Sequence, residues 1–150
     1  MCGIAGFIGK SNNPHVSFSL ATKLFEGIET RGKDAAGFWG SRDNGDTICY
    51  KESIKSSQIV EKDIWNKVRN FDPNILLLHA RASSTGVGHA RDNVNNHPFI
   101  SEDNRVAIIH NGFIPEYSLL EEKYETISEC DSEIVLRMFD ASADATEDVI

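Results

Sequence analysis

The spacing of apolar residues in the first third of the chain predicts a strand, a helix and a hairpin. Cys2–Gly9 is a short apolar run that predicts a buried strand. Between Val16 and Glu29 the apolar residues recur every three or four positions, which is typical of an amphipathic helix. Ala36–Gly40 and Thr47–Lys51 are β-rich runs, and Asp43–Asn44–Gly45 between them predicts a hairpin turn.

The rest of the pattern adds helices and further strands. Helical spacing recurs in Ser57–Arg69, Ile114–Tyr124 and Asp131–Ala141. Asn74–Ala80 and Arg105–His110 lack polar alternation, which indicates strands in the interior of a sheet. Hairpin strands beside helices predict an α+β fold in which helices cover antiparallel sheet.

Composition narrows the class of protein to which this pattern can belong. The 150 residues are the length of one domain, and 40% hydrophobic with 25% charged residues is ordinary for a globular chain. The net charge of −8 argues against a nucleic-acid partner or an anionic membrane, because both bind a basic face. The longest apolar stretches, Ile75–Leu78 and Val106–Ile109, are too short to cross a bilayer, and no secretory signal opens the chain.

Cysteine and histidine usage bears on compartment and metal binding. The cysteines Cys2, Cys49 and Cys130 are odd in number and lack CxxC spacing, so a reducing, cytoplasmic compartment is expected. The five histidines show no spacing typical of zinc ligands, and we therefore expect no metal site.

Cys2 is the first candidate for chemistry. A methionine before a small residue is usually trimmed, which would leave Cys2 with a free α-amino group. Such groups have a pKa of about 7.7–8.0, so near neutral pH a fraction is unprotonated. That amine could take the thiol proton and later return it to a leaving amine. The alternative is a small apolar residue at the start of a strand.

Other candidate residues lie next to the predicted strands and helices. In His110–Asn111–Gly112 the Asn-Gly pair is either a turn or, beside a strand end, a pair of oxyanion donors. Arg81 is either an exposed arginine or a bidentate carboxylate ligand. Asp131 is either a simple helix N-terminal acid or a ligand for an ammonium group. The loop Arg31–Asp34 and His97 remain ambiguous at this level.

Six segments in this order resemble the class II glutamine amidotransferase domain, a member of the N-terminal-nucleophile hydrolases. They are CGIAG (2–6), RGKDAAG (31–37), HARASSTG (79–86), NNHPF (95–99), HNG (110–112) and DSE (131–133). HARASSTG and HNG are most similar to the branch that includes glucosamine-6-phosphate synthase and amidophosphoribosyltransferase. The resemblance implies a four-layer αββα sandwich with antiparallel sheets. Because the family's domain normally exceeds 150 residues, residues 1–150 are expected to be a compact variant or the front part of a longer domain or protein.

The resemblance also implies a mechanism. The Cys2 thiolate would attack the side-chain amide of glutamine, assisted by its own α-amine. The Asn111 side chain and the Gly112 N–H would stabilise the tetrahedral intermediate. Ammonia would leave, and water would hydrolyse the thioester to glutamate, with no metal or organic cofactor.

Substrate-binding roles are implied in the same way. Arg81 would bind the α-carboxylate of glutamine and Asp131 its α-ammonium. Further matched positions are Ser84 and His97 near the substrate, and Arg31, Gly32 and Asp34 in the loop flanking the nucleophile.

The expected function is hydrolysis of L-glutamine to supply ammonia to a synthase domain or subunit. One alternative is a catalytically silent glutamine-binding or regulatory module of the same fold, and another is an N-terminal-nucleophile amidase that acts on a different amide. Arg81 and Asp131 argue against the latter, since together they suit a free amino acid. The chain has no phosphate-cradling loop or nucleotide motif, so the ammonia acceptor is expected to bind elsewhere.

Overall fold

The computed structural model of the protein describes residues 1–9, 17–83 and 89–147, the last five of them by their backbone alone. Within these ranges the strands are β1 (Gly3–Ile8), β2 (Ala35–Ser41), β3 (Thr47–Glu52), β4 (Ile75–Arg81), β5 (Phe99–Ile100) and β6 (Ala107–Ile108). The α-helices are α1 (Phe18–Ile28), α2 (Ser56–Val60), α3 (Asp63–Phe71), α4 (Tyr117–Glu121) and α5 (Glu133–Glu147).

The described strands form two antiparallel sheets. The larger has the order β1-β4-β2-β3, and β5 pairs with β6 in the smaller. The predicted hairpin joins β2 to β3, and Gly45 in its turn has φ +87°, a conformation that glycine adopts without steric cost. The prediction of an α+β fold with antiparallel sheets is confirmed.

Helices α1, α2 and α3 cover one face of the larger sheet. Trp65 of α3 packs against Phe25 of α1 and Phe38 of β2, with ring centroids 5.2 and 5.4 Å away. Leu76 and Leu78 of β4 are fully buried in the same core. Because side chains alternate along a strand, His79 and Arg81 of β4 share one face of the sheet, and Ala80 between them lies on the other. His79 and Arg81 are both buried.

The smaller sheet approaches the larger one through His97, which precedes β5. The His79 ring stacks on the His97 ring with centroids 4.2 Å apart, and His97 packs edge-on against Phe99. A Cβ on Gly37 of β2 would lie 2.2 Å from the His97 carbonyl oxygen, so only glycine permits this approach. Phe99 also packs with Leu136 of α5, so that α5 contacts the smaller sheet.

Two predictions about burial and helix length are wrong. The strand within Cys2–Gly9 is confirmed, but it lies at a sheet edge and Ile8 is 79% exposed. The single helix predicted over Ser57–Arg69 is two helices, because the backbone is extended at Lys62. On a continuous helix Ile59 and Trp65 would point about 120° apart, whereas the break lets both enter one core.

Two further elements are shorter than predicted. The run Arg105–His110 contributes only the half-buried β6, because residues 101–106 close the turn from β5. Helix α4 begins at Tyr117 rather than Ile114, since Pro115 disfavours helical backbone in the residue before it. In the described part of the chain no helix combines the length and apolar character needed to span a membrane.

Candidate active site

An open cleft of about 700 Å³ lies where the start of β1 meets the end of β4. The loop after β6 and the segment before α5 form its other walls. The structure brings together at this cleft most of the predicted catalytic and substrate-binding residues: Cys2, Arg81, His97, Asn111, Gly112 and Asp131. Ser84 lies outside the described residues.

Cys2 is held by contacts from three separate segments. Its backbone N–H donates to the Asn111 side-chain oxygen over 3.0 Å, and its carbonyl oxygen accepts from Arg31 Nε at 3.0 Å. Its Sγ lies 3.8 Å from the carbonyl oxygen of Ala82. Cys2 is therefore held at the cleft wall by the loop after β6, the segment before β2 and the residue after β4.

The turn that carries Asn111 and Gly112 is anchored through His110. His79 Nε2 lies 3.1 Å from the His110 carbonyl oxygen, and because a carbonyl only accepts, His79 must donate from Nε2. The His110 ring bonds Ser132 Oγ through Nδ1 at 3.0 Å. A Cβ on Gly112 would lie 2.5 Å from His110 Nε2, so the ring packs directly against the glycine backbone.

Asn111 can serve two partners at once. Its amide oxygen accepts from the Cys2 N–H, which leaves the amide nitrogen as the end that donates. An amide nitrogen beside the Gly112 backbone N–H matches the donor pair that stabilises an oxyanion. Both residues line the cleft.

Charged side chains of both signs line the same cleft. Arg81 is 5% exposed, and its Nη1 donates to Asn95 O at 2.5 Å and Asn96 Oδ1 at 2.8 Å. Asp131 precedes α5, and its Oδ2 accepts from the Ile114 N–H at 2.8 Å. A ligand that carries a carboxylate and an ammonium can therefore find a partner for each group.

The loop predicted to flank the nucleophile ties β4 to the region of Cys2. Asp34 accepts from the Ser83 N–H through Oδ2 at 2.7 Å, and its own N–H donates to Arg81 O. Gly32 is packed so closely that a Cβ would lie 2.4 Å from the Ala80 carbonyl oxygen. With the Arg31–Cys2 contact, this loop supports both Cys2 and Arg81.

Burial shifts the pKa values of two histidines and two cysteines. Burial lowers the pKa of His79 to about 4, and burial also holds the pKa of His97 well below its usual range. Burial raises the pKa of Cys49 to about 11, and it raises the pKa of Cys130. These two thiols are thus poor sources of thiolate near neutral pH.

Several residues in or beside the cleft received no role from the sequence. Asn95 and Asn96 belong to the NNHPF segment, but only the structure shows their contacts with Arg81. Ser132 orients His110, a contact across 22 positions that no local pattern signals. Among the described residues, no group of three or more His, Cys, Asp or Glu side chains is placed to hold a metal ion.

Comparison with known proteins finds similar sequences in bacterial enzymes. No family model matches the chain. It is 31% identical over 151 residues to glutamine–fructose-6-phosphate aminotransferase (isomerizing) of Bacillus anthracis, covering 93% of this chain and 22% of that protein. The same-named proteins of Bacteroides thetaiotaomicron and Staphylococcus aureus strain N315 are each 32% identical, over 93% and 92% of this chain.

The chain thus spans about a fifth of the length of these curated relatives, 22% of each. The part that it matches is their N-terminal glutamine amidotransferase domain. Over 93% of its length, this chain matches the class II glutamine amidotransferase domain of these relatives.

Proposed function

We propose that this chain hydrolyses the side-chain amide of glutamine to glutamate and ammonia, with Cys2 as the nucleophile once Met1 is removed. One observation carries the proposal: the Cys2 backbone nitrogen bonds Asn111 in a cleft that Arg81 and Asp131 also line. Nucleophile, oxyanion donors and both amino-acid ligands thus share one cavity. The names of the relatives, which pair glutamine with an aminotransferase reaction, support the same activity.

Removal of Met1 converts the Cys2 nitrogen from a peptide amide into a basic amine. An amine that keeps its N–H bond to Asn111 Oδ1 has a lone pair free to accept the thiol proton. The thiolate then adds to the glutamine amide carbon, and the oxygen that gains the charge is bound by Asn111 Nδ2 and the Gly112 N–H. The proton returns to the leaving nitrogen, ammonia departs, and water hydrolyses the thioester to glutamate.

Recognition of a free amino acid follows from the charged groups of the cleft. Arg81 binds the α-carboxylate and Asp131 the α-ammonium, and the family resemblance assigns His97 and Ser84 to the same substrate. Arg31, Gly32 and Asp34 support it from the loop beside Cys2. This pair of charges favours glutamine over an amide within a peptide, which lacks one or both α-groups.

The proposal extends to the fold and to the ammonia acceptor. Residues 1–150 form at least part of a type-2 amidotransferase domain with αββα layering. The stacked His79 and His97 between the sheets, and the contact of α5 with the smaller sheet, support that layering. Ammonia passes to a synthase domain or subunit, a partner supported by the fructose-6-phosphate aminotransferase activity in the relatives' names. The free state of all three cysteines agrees with a reducing, cytoplasmic setting.

Covalent labelling tests the nucleophile. The glutamine analogue 6-diazo-5-oxo-norleucine should modify Cys2 in protein whose Met1 has been removed, and mass spectrometry should find Cys49 and Cys130 unmodified. Burial of the latter two thiols is the reason for the selectivity. Cys2→Ala should abolish labelling, and the matched control Cys49→Ala should leave it intact. Modification that persists in Cys2→Ala would overturn the assignment.

A further inference from the structure

We propose that Asn95 and Asn96 set the distance between the carboxylate-binding and ammonium-binding groups of the cleft. They are positioning residues for Arg81 and Asp131, and they do not touch the substrate themselves. The inference rests on the proposed function, because it assigns how that same site recognises an α-amino acid.

A chain of hydrogen bonds, here called the linkage, joins Arg81 to the segment before Asp131 through Asn95 and Asn96. Its first half is on the Arg81 side. Arg81 Nη1 donates to the Asn95 carbonyl oxygen at 2.5 Å and to Asn96 Oδ1 at 2.8 Å. Arginine is a flexible side chain, and these charge-assisted bonds fix one end of its guanidinium. The position of Arg81 is therefore set by the turn that contains both asparagines.

The second half of the linkage runs from the same turn toward Asp131. The Asn95 side-chain oxygen accepts from the Glu129 backbone N–H at 2.8 Å, across 34 positions of sequence. Glu129 lies two residues before Asp131, in the segment that leads into α5. One residue thus contacts Arg81 through its backbone and the Asp131 segment through its side chain.

The turn itself is buried and held by several hydrogen bonds. Asn95 and Asn96 are each 1% exposed, although asparagine is mostly a surface residue. Asn96 Nδ2 donates to the Ala90 carbonyl oxygen at 2.8 Å and to Asn93 Oδ1 at 3.1 Å, which leaves its Oδ1 facing Arg81. Lys51 Nζ holds the Asn96 carbonyl oxygen at 2.5 Å.

A linkage of this kind affects recognition more than chemistry. To bind both α-groups of one substrate, Arg81 and Asp131 must lie at a fixed distance from each other. Binding is weaker when the substrate itself must order these two side chains, because that ordering costs binding free energy. Cys2 and Asn111 have no bond to either asparagine among the described contacts. Loss of the linkage should therefore slow reagents that carry α-groups and spare reagents that lack them.

Two electrophiles separate these effects in full-length protein without Met1. The first, 6-diazo-5-oxo-norleucine, carries the α-carboxylate and α-ammonium, whereas iodoacetamide carries neither. We expect Asn95→Ala to slow Cys2 inactivation by the first reagent roughly tenfold, the loss typical of one buried hydrogen bond. The rate with iodoacetamide should be unchanged.

Further variants keep the test decisive. Asn95→Asp retains an oxygen that accepts from the Glu129 N–H, so it should restore much of the lost rate. Asn96→Ala, which removes a direct acceptor of Arg81, should show the same selective loss as Asn95→Ala. Val94→Ala is the matched control, because Val94 lies in the same turn and is 37% exposed.

The outcomes distinguish this inference from the proposed function. Failure of 6-diazo-5-oxo-norleucine to modify Cys2 in the unmutated protein would reject the proposed function. If that protein is modified but Asn95→Ala and Asn96→Ala slow both reagents equally, or neither, the positioning role is rejected. Selective loss with the α-substituted reagent alone supports it.

Discussion

At the residue scale, single asparagine and histidine side chains in or beside the cleft contact two partners at once. Asn111 accepts from the Cys2 nitrogen through its oxygen, which directs its nitrogen elsewhere. His79 donates from Nε2 to the His110 carbonyl oxygen, while its ring face stacks on His97. Cys2, Asn111, Gly112, Arg81 and Asp131 are predicted as site residues from their residue types and motif order, and all five line one cleft. The contacts of Asn95 could not be predicted, because they join residues far apart in sequence.

Protonation of the buried histidines should make stability depend on pH. Burial lowers the pKa of His79 to about 4 and holds that of His97 well below normal, so the unfolded chain binds more protons below about pH 6.5. The free energy of unfolding should therefore fall as pH drops from 6.5 toward 5, by about 1.4 kcal/mol per unit for each fully titrating histidine. Urea unfolding across this range measures it. His97→Phe, which removes one titrating group, should flatten the slope, and an unchanged slope would contradict the account.

At the scale of elements, periodicity identifies helices and strands but not where packing interrupts them. The apolar stripe in Ser57–Arg69 is genuine, yet the break at Lys62 arises because Ile59 and Trp65 must both reach one core. The strand β6 is cut short because its predicted first residues form the turn from β5. Such breaks depend on neighbouring elements, which are not visible in local spacing.

The close approach of the two sheets predicts that β2 requires glycine at position 37. Gly37→Ala should destabilise the protein by about 1–3 kcal/mol, the usual cost of overpacking, because the new Cβ would lie 2.2 Å from the His97 carbonyl oxygen. Gly27→Ala is the matched control: Gly27 lies in α1, and nothing stands within 4 Å of its added Cβ. That change should instead stabilise by about 0.5–1 kcal/mol, since alanine favours helix. Thermal unfolding of both variants measures these changes. A Gly37→Ala protein as stable as the unmutated protein would contradict the sheet packing.

At the scale of the whole molecule, the α+β class follows from the order of the elements and the hairpin signal at Asn44–Gly45. The layering of the sheets does not, and was inferred from family resemblance alone. Pairing between distant segments explains the difference, because β1 meets β4 across some 70 residues and no local pattern specifies that partner. That pairing nonetheless creates the cleft, by placing Cys2 beside Arg81 and Ala82.

The most direct test of the central claim is glutamate release by the processed chain. Protein whose N-terminus is shown by mass spectrometry to be Cys2 should convert glutamine to glutamate and ammonia, with its synthase partner added if one is required. Cys2→Ala should release none, and a form that retains Met1 should be inactive, because its Cys2 nitrogen is an amide rather than a basic amine. Processed protein that binds glutamine but releases no glutamate, even with the partner present, would contradict the account.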